Sequence, residues 1–497
     1  MPFLLALDQG TTSSRAIVYD EALTVRGHAA KPLAQYFPAP GHVEQDAVGL
    51  WQDQREVALA AIGKAGIVAS DLKAVGITNQ RETLVLWDRR TGEPLHRALV
   101  WQDRRTADAC QRLRADGLEK EIQARSGLVI DPYFSASKLA WLLDHCPGAR
   151  ARAARGELAA GTIDTWLTWQ LSGGRAHLTD ASNASRTQLY NLHTGTWDSE
   201  LLRWWNIPVE VLPEVTDSMG TLAAISTLPG VNAPLASLAG DQQAALFGQG
   251  CFSPGEAKCT YGTGCFILQH TGRDIPRSAN RLLATVAWSR AGVREFALEG
   301  SVFMGGALVQ WLRDGLGIID RSDAIEALAA SVADSGDVVL VPAFTGLGAP
   351  WWDAEARGLI IGLTRGTGRA HLARAALEAI ALQVNDVLTA MTRDTGTPLS
   401  ALKVDGGASA NALLMQMQAN LLGTVLRQPA DLETTARGAA AMAGIGCGLW
   451  SDTAQVTDLL GQDMREYHPV TGAGAVWAPL ISRWHEAVGR AGHWHHS

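Results

Sequence analysis

One pattern constrains this chain more than any other, and it occurs twice. Residues 4–19 read LLALDQGTTSSRAIVY and residues 257–269 read AKCTYGTGCFILQ. In both, short apolar and partly β-branched runs flank a turn of glycine and hydroxyl residues, the pattern of buried strands joined in a tight hairpin. The order of elements that follows also recurs. After the first hairpin the spacing predicts a helix over 47–62 and strands over 74–77, 83–87 and 99–101. After the second it predicts strands over 283–288 and 293–298 and a helix over 306–313. Alternating strands and helices specify α/β layers. A chain of 497 residues exceeds a single core. Two α/β domains follow, residues 1–250 and 251–497, alike in architecture and facing one cleft with both glycine turns.

The first turn carries chemistry. Gly10 can take backbone angles that other residues avoid, which lets neighbouring N–H groups converge on an anion. Thr11, Thr12, Ser13 and Ser14 add hydroxyl donors, Arg15 adds charge, and Asp8 suits a hydrated magnesium held against a phosphate. An ordinary polar loop has the same composition, and the P-loop pattern, which requires a following helix, is absent. A third glycine site follows the apolar run 402–404, where DGGASAN (405–411) leads into a helix marked by Leu414, Met417 and Leu421 and ended by Gly423. It reads equally as a close approach to a flat or anionic ligand and as a helix packed tightly on a sheet. The apolar segment 235–239 ends in Gly240-Asp241-Gln242-Gln243. Asp241 there is either a turn former or a carboxylate placed to accept a proton.

Composition excludes other classes. The net charge is −8 with both signs dispersed, unlike a nucleic-acid or membrane-surface footprint. Six cysteines without CxxC spacing suit reduced thiols and a cytoplasmic location. No run is long enough for a membrane span, and the N-terminus does not read as a signal peptide. His493, His495 and His496 read as a frayed terminus rather than a metal site.

Longer motifs carry a family resemblance. YFSASKLAWLLDH (133–145) and residues 358–378 resemble the two signatures of the FGGY carbohydrate kinases, whose ATPase core is like that of actin. Within that family the chain resembles the glycerol kinases through LDQGTTSSR, GITNQRET, VWQDRRT, GLVIDPYFS, TDASNASRT, AGDQQAALFGQ, TYGTGCF, FTGLGAPWWD and GLTRG. The resemblance implies an α/β fold of two ribonuclease-H-like domains flanking a nucleotide cleft, ATP and Mg²⁺ as cofactors, and glycerol as acceptor. It implies that Arg81, Glu82, Tyr133, Asp241 and Gln242 hydrogen-bond glycerol while Trp101 covers its carbons, with Asp241 as general base. It places Thr11, Thr12, Ser13, Arg15 and Thr263 at the phosphates, Gly306, Gln310, Gly407 and Asn411 at adenine and ribose, and Asp8 at magnesium. It further implies a homo-oligomer, dimer or tetramer.

Two stretches depart from the family. Where some bacterial relatives bind fructose 1,6-bisphosphate through an arginine, residues 225–236 carry Asn232, and no Lys or Arg lies between Arg203 and Lys258. The segment that binds a sugar-transport regulatory protein in enteric relatives is replaced by residues 468–475. Both regulatory sites are expected to be absent. Two other functions compete: a kinase of larger polyols or ketoses such as xylulose or ribitol, which would lack the Arg-Glu, Trp and Tyr set, and an actin-type ATP switch with no acceptor, which Asp241 and Arg81-Glu82 oppose.

Overall fold

A computed structural model describes residues 2–461, 463–492 and 494; His493, His495 and His496 lie outside the described residues. Thirteen strands among these residues form one sheet: β1 (Phe3–Gln9), β2 (Ser13–Asp20), β3 (Val25–Pro32), β4 (Leu72–Asn79), β5 (Met219–Ala224), β6 (Pro234–Gly240), β7 (Ala257–Tyr261), β8 (Cys265–Gly272), β9 (Leu283–Arg290), β10 (Val293–Val302), β11 (Ala401–Asp405), β12 (Val425–Pro429) and β13 (Met464–Tyr467). Their spatial order is β13-β12-β11-β7-β8-β10-β9-β5-β6-β4-β1-β2-β3.

This order contains the same module twice. β1, β2 and β3 are antiparallel neighbours, and β4 and β6 continue the sheet in parallel beyond β1. β7, β8 and β10 repeat the antiparallel part, and β11 and β12 the parallel part. β1 is flanked on both sides, which favours an apolar run, and Leu4 to Leu7 are almost completely buried; its counterpart β7 departs from this at the buried Lys258. The two modules join where β5 meets β9 at Met219 and Arg290.

Helices cover the sheet. Five of them bear on the site: α1 (Ala47–Lys64), α2 (Asp241–Gly248), α3 (Gly306–Asp314), α4 (Ala412–Leu422) and α5 (Thr434–Gly446). α4 has the ends its sequence specifies, with Asn411 accepting from the Leu414 N–H as N-cap and Gly423 in the left-handed region as C-cap. α5, though late in the chain, packs against the N-terminal strands, and its alanines share a core with Leu4, Ala6, Ala74 and Phe247. It crosses α2 at glycines. A Cβ on Gly438 would lie 1.9 Å from the Ala244 carbonyl oxygen, and one on Gly248 2.0 Å from that of Thr434. The two modules thus interlock.

Two expectations need correction. Trp101 is not in a strand: the strand is Ala98–Leu99 and Trp101 begins the turn after it. Gly10 does not adopt positive φ; the hairpin is closed by its N–H donating to the Ser13 carbonyl at 3.0 Å, an ordinary turn bond. The glycine that does use its freedom is Gly406, at φ 85°, where a Cβ would lie 2.6 Å from the Tyr261 carbonyl. Of the two readings open at DGG, close packing applies there, while Gly407 faces open space and lines a cavity.

Candidate active site

The centre of the cleft is a buried cluster of charge. Arg81 and Glu82 occupy the tight turn between β4 and the strand Leu84–Asp88, and Glu82 sits at φ 61°, a backbone region costly for a residue with a side chain. Arg81 donates Nη1 to Glu299 Oε2 at 2.6 Å and Nη2 to Glu299 Oε1 at 2.9 Å. Its Nε faces Asp241 Oδ1 at 3.3 Å. Arg186 donates Nε to Glu82 Oε1 at 2.7 Å and places Nη2 3.2 Å from Glu299 Oε1. Burial pushes both glutamates up, but the charges of Arg186 and Arg81 hold Glu299 down to about 2, whereas Glu82, with less compensation, stays raised. A buried charge left unpaired costs several kcal/mol, so these four groups form one unit.

Asp241 is the first residue of α2. Its Oδ1 accepts from the Gln242 N–H at 2.8 Å, and the side chain remains partly exposed. Tyr133 is buried, and the Arg186 guanidinium lies 5.5 Å from its ring centroid. Trp101 stands edge-on to Tyr133 at 5.6 Å and to Phe266 at 6.3 Å, and its Nε1 donates to Thr11 Oγ1 at 2.9 Å. The Trp101 contact therefore joins Tyr133 and Phe266 to the first hairpin turn. Trp101, Tyr133 and Phe266 line a cavity of about 570 Å³ whose wall includes Thr263.

Thr263 also lines a second cavity, of about 430 Å³, together with Gly306, Gln310, Gly407 and Asn411. Five residues spread over some 150 positions of sequence are thus gathered on one hollow between α3 and α4. Carbonyls of the Gly262-Thr263 turn accept from the N–H groups of Gly305, Gly306 and Ala307, which fixes the turn against the start of α3. That approach needs a small residue, since a Cβ on Gly306 would lie 2.8 Å from the Gly262 carbonyl.

On the first hairpin, Asp8 and Arg15 are register partners and pair at 2.9 Å, and Arg15 also donates to Glu433 Oε2 at 2.8 Å. Ser13 accepts the closing turn bond, and Thr12 is exposed. Burial pushes the Asp8 carboxyl up to about 6 despite Arg15, helped by the nearby charges of Glu433 and Asp241. Asp8 Oδ2 is the buried oxygen that faces Arg15 Nη2 at 2.9 Å, and it has no other partner among the described residues. A buried carboxylate held by a single arginine fits magnesium, which takes one or two protein carboxylates and otherwise waters and phosphate oxygens. Among the described residues no cluster of three or more His, Cys, Asp or Glu could cage a metal.

Sequence reasoning missed Arg186, Glu299, Lys258, Phe266 and Glu433. Arg186 lies within TDASNASRT, but its contacts to Glu82 and Glu299 come from a turn and a strand that are distant in sequence. Lys258 is completely buried, and its Nζ donates to Gln242 Oε1 and, at 2.9 Å, to Thr260 Oγ1.

Paired modules and a cleft floored by buried charge define a sugar-kinase type of molecule, and the chain belongs to the FGGY family of carbohydrate kinases. The model of that family's N-terminal domain matches residues 3–248, and that of its C-terminal domain residues 257–447. Within the family, the chain is 57% identical to the glycerol kinase of Dechloromonas aromatica, over 99% of this chain and 98% of that one, and 55% identical to that of Deinococcus radiodurans, again over 99% and 98%. Among solved structures, the glycerol kinase of Plasmodium falciparum with ADP superposes with a TM-score of 0.91 at 34% identity, covering 99% of this chain and 98% of that one. A xylulose kinase from Lactobacillus acidophilus, 21% identical over 99% of this chain and 98% of that one, has a TM-score of 0.88 and shares the fold.

Proposed function

We propose that this chain is a glycerol kinase, which transfers the γ-phosphoryl group of ATP to a terminal hydroxyl of glycerol to give sn-glycerol 3-phosphate and ADP, the first step of glycerol catabolism. The observation that carries this reading is the shared wall at Thr263. One cavity, lined by Gly306, Gln310, Gly407 and Asn411, suits a nucleoside, and the adjoining one holds Trp101 and Tyr133 beside the Arg81-Glu82-Asp241 cluster. A phosphate chain passing over Thr263 spans the two.

Glycerol is small and uncharged, so its binding requires several directed hydrogen bonds on one face and apolar cover on the other. Arg81, Glu82, Tyr133, Asp241 and Gln242 supply the first, Trp101 and Phe266 the second. Asp241 accepts the proton of the terminal hydroxyl as that oxygen bonds to the γ-phosphorus, and the bond from phosphorus to the β-phosphate oxygen breaks to release ADP. Thr11, Thr12, Ser13 and Arg15 bind the phosphates from the opposite wall, with Arg15 shared between Asp8, Glu433 and the incoming anion. Asp8 holds magnesium, which neutralises phosphate charge when bound. Closure of the modules excludes water and suppresses hydrolysis.

Free thiols at all six cysteines suit a cytoplasmic enzyme, and no helix among the described residues is long and apolar enough to cross a membrane. The absence of Lys and Arg from residues 204–257, where Asn232 lies, and the altered segment 468–475 support an enzyme without the two regulatory sites, and association into a dimer or tetramer completes the reading. ADP release measured against a panel of glycerol, xylulose and ribitol tests it. Turnover with glycerol is expected, and turnover with xylulose but not glycerol would overturn it.

A further inference from the structure

Lys258 is an unusual residue to find in β7. It is fully buried, and burial pulls its amine below the ordinary lysine range. A buried ammonium is tolerated when each of its three protons has an acceptor. Lys258 meets this condition with Thr260 Oγ1 at 2.9 Å, the Phe266 carbonyl at 3.4 Å and the side-chain oxygen of Gln242. The first two lie on the hairpin that ends in the Gly262-Thr263 turn. Gln242 lies on α2, directly after Asp241. Lys258 is therefore a cross-link between the second hairpin and the acceptor wall.

The bond has a chemical consequence. An ammonium only donates, so the Gln242 atom facing it must be the amide oxygen, which removes the ambiguity of a glutamine side chain. The amide NH₂ is then turned away from Lys258, and among the described residues Nε2 has no protein acceptor. Without the lysine, the amide could rotate and present either its oxygen or its nitrogen.

We propose that Lys258 is a positioning residue that locks the Gln242 amide so that its NH₂ donates to a hydroxyl oxygen of the acceptor, making Gln242 an obligate donor in substrate selection. This rests on the glycerol kinase reading. A hydroxyl oxygen that accepts from Gln242 keeps its own proton for a neighbouring carboxylate, so the lock assigns donor and acceptor roles between Gln242 and Asp241.

The test is a double-mutant cycle in the full-length enzyme, with steady-state kinetics in both substrates. Lys258→Met removes the donor while keeping an unbranched apolar stem. We expect KM for glycerol to rise about tenfold or more and KM for ATP to stay within about twofold. In a Gln242→Ala background the same change should add almost nothing, because the group through which Lys258 acts is already gone. Lys258→Gln, which keeps a neutral N–H donor, should recover part of the loss, and Lys258→Leu takes the place of Lys258→Met should that variant not fold. Equal rises in both KM values, an additive loss in the Gln242→Ala background, or unchanged glycerol KM would overturn the inference. A wild-type enzyme that fails to phosphorylate glycerol would instead overturn the functional reading beneath it.

Discussion

Asp241 and Glu299 differ by how each carboxylate is held. Asp241 is partly exposed and touches Arg81 only through Nε, so its second oxygen is available to a substrate proton. Asp241→Asn keeps shape and removes the proton acceptor; turnover should fall by roughly 10²-fold or more while glycerol still binds. Rapid-quench turnover together with calorimetric glycerol binding checks this, and near-normal turnover would show that another group is the base. Glu299 is spent on two arginines. Its carboxyl is depressed to about 2 in the folded chain against an ordinary value of 4.5, so its stabilising charge is present above pH 4.5 and lost as pH falls through about 2. Glu299→Gln should destabilise by about 3–5 kcal/mol at neutral pH and flatten the acid limb of the stability profile below pH 4.5. Urea midpoints across that range measure both. The residue scale also shows where sequence stops being readable. Arg81-Glu82 stands out because both charges sit next to each other in a motif. Glu299 lies 218 positions from Arg81, and nothing in its local sequence marks it as the group that orients the arginine.

At the scale of elements, hydrophobic spacing located the two hairpins because burial on both faces leaves no freedom in residue type, and Gly423 marked the end of α4 because it takes the left-handed backbone that closes a helix. It did not locate the crossing of α2 and α5. That contact is made by glycines, which carry no hydrophobic signal, between helices far apart in the sequence, Asp241–Gly248 and Thr434–Gly446. Gly438→Ala forces a methyl into the Ala244 carbonyl and should cost roughly 1–3 kcal/mol or more. Gly63→Ala in α1, where a Cβ meets nothing within 4 Å, should instead stabilise by about 0.4–1 kcal/mol. Thermal or urea unfolding of the pair distinguishes a close helix crossing from a general intolerance of alanine. Gly10 shows the converse error: a glycine in a hydroxyl-rich turn suggests special backbone angles, yet the turn needs only a short N–H to carbonyl bond and space 3.3 Å from the Ser13 carbonyl oxygen.

For the whole molecule, the repeated order of elements was legible because topology follows from the sequence of strands and helices. The interlocking of the modules was not, since residues 434–446 cross back to pack on strands from the first 240 residues. Regulation belongs to this scale as well. With no Lys or Arg between Arg203 and Lys258, a doubly phosphorylated sugar finds no charge partner on that stretch. Titration with fructose 1,6-bisphosphate should give weak or no inhibition, and a steep inhibition curve at physiological effector levels would contradict it. The reading of the molecule as a phosphoryl-transfer enzyme rather than an ATP switch turns on one measurement: ³¹P nuclear magnetic resonance of the enzyme with ATP and Mg²⁺, with and without glycerol. With glycerol, a single phosphomonoester signal should grow in step with ADP and be consumed by a dehydrogenase specific for sn-glycerol 3-phosphate, and without it ATP should persist. ADP and inorganic phosphate released at the same rate whether or not glycerol is present would contradict it.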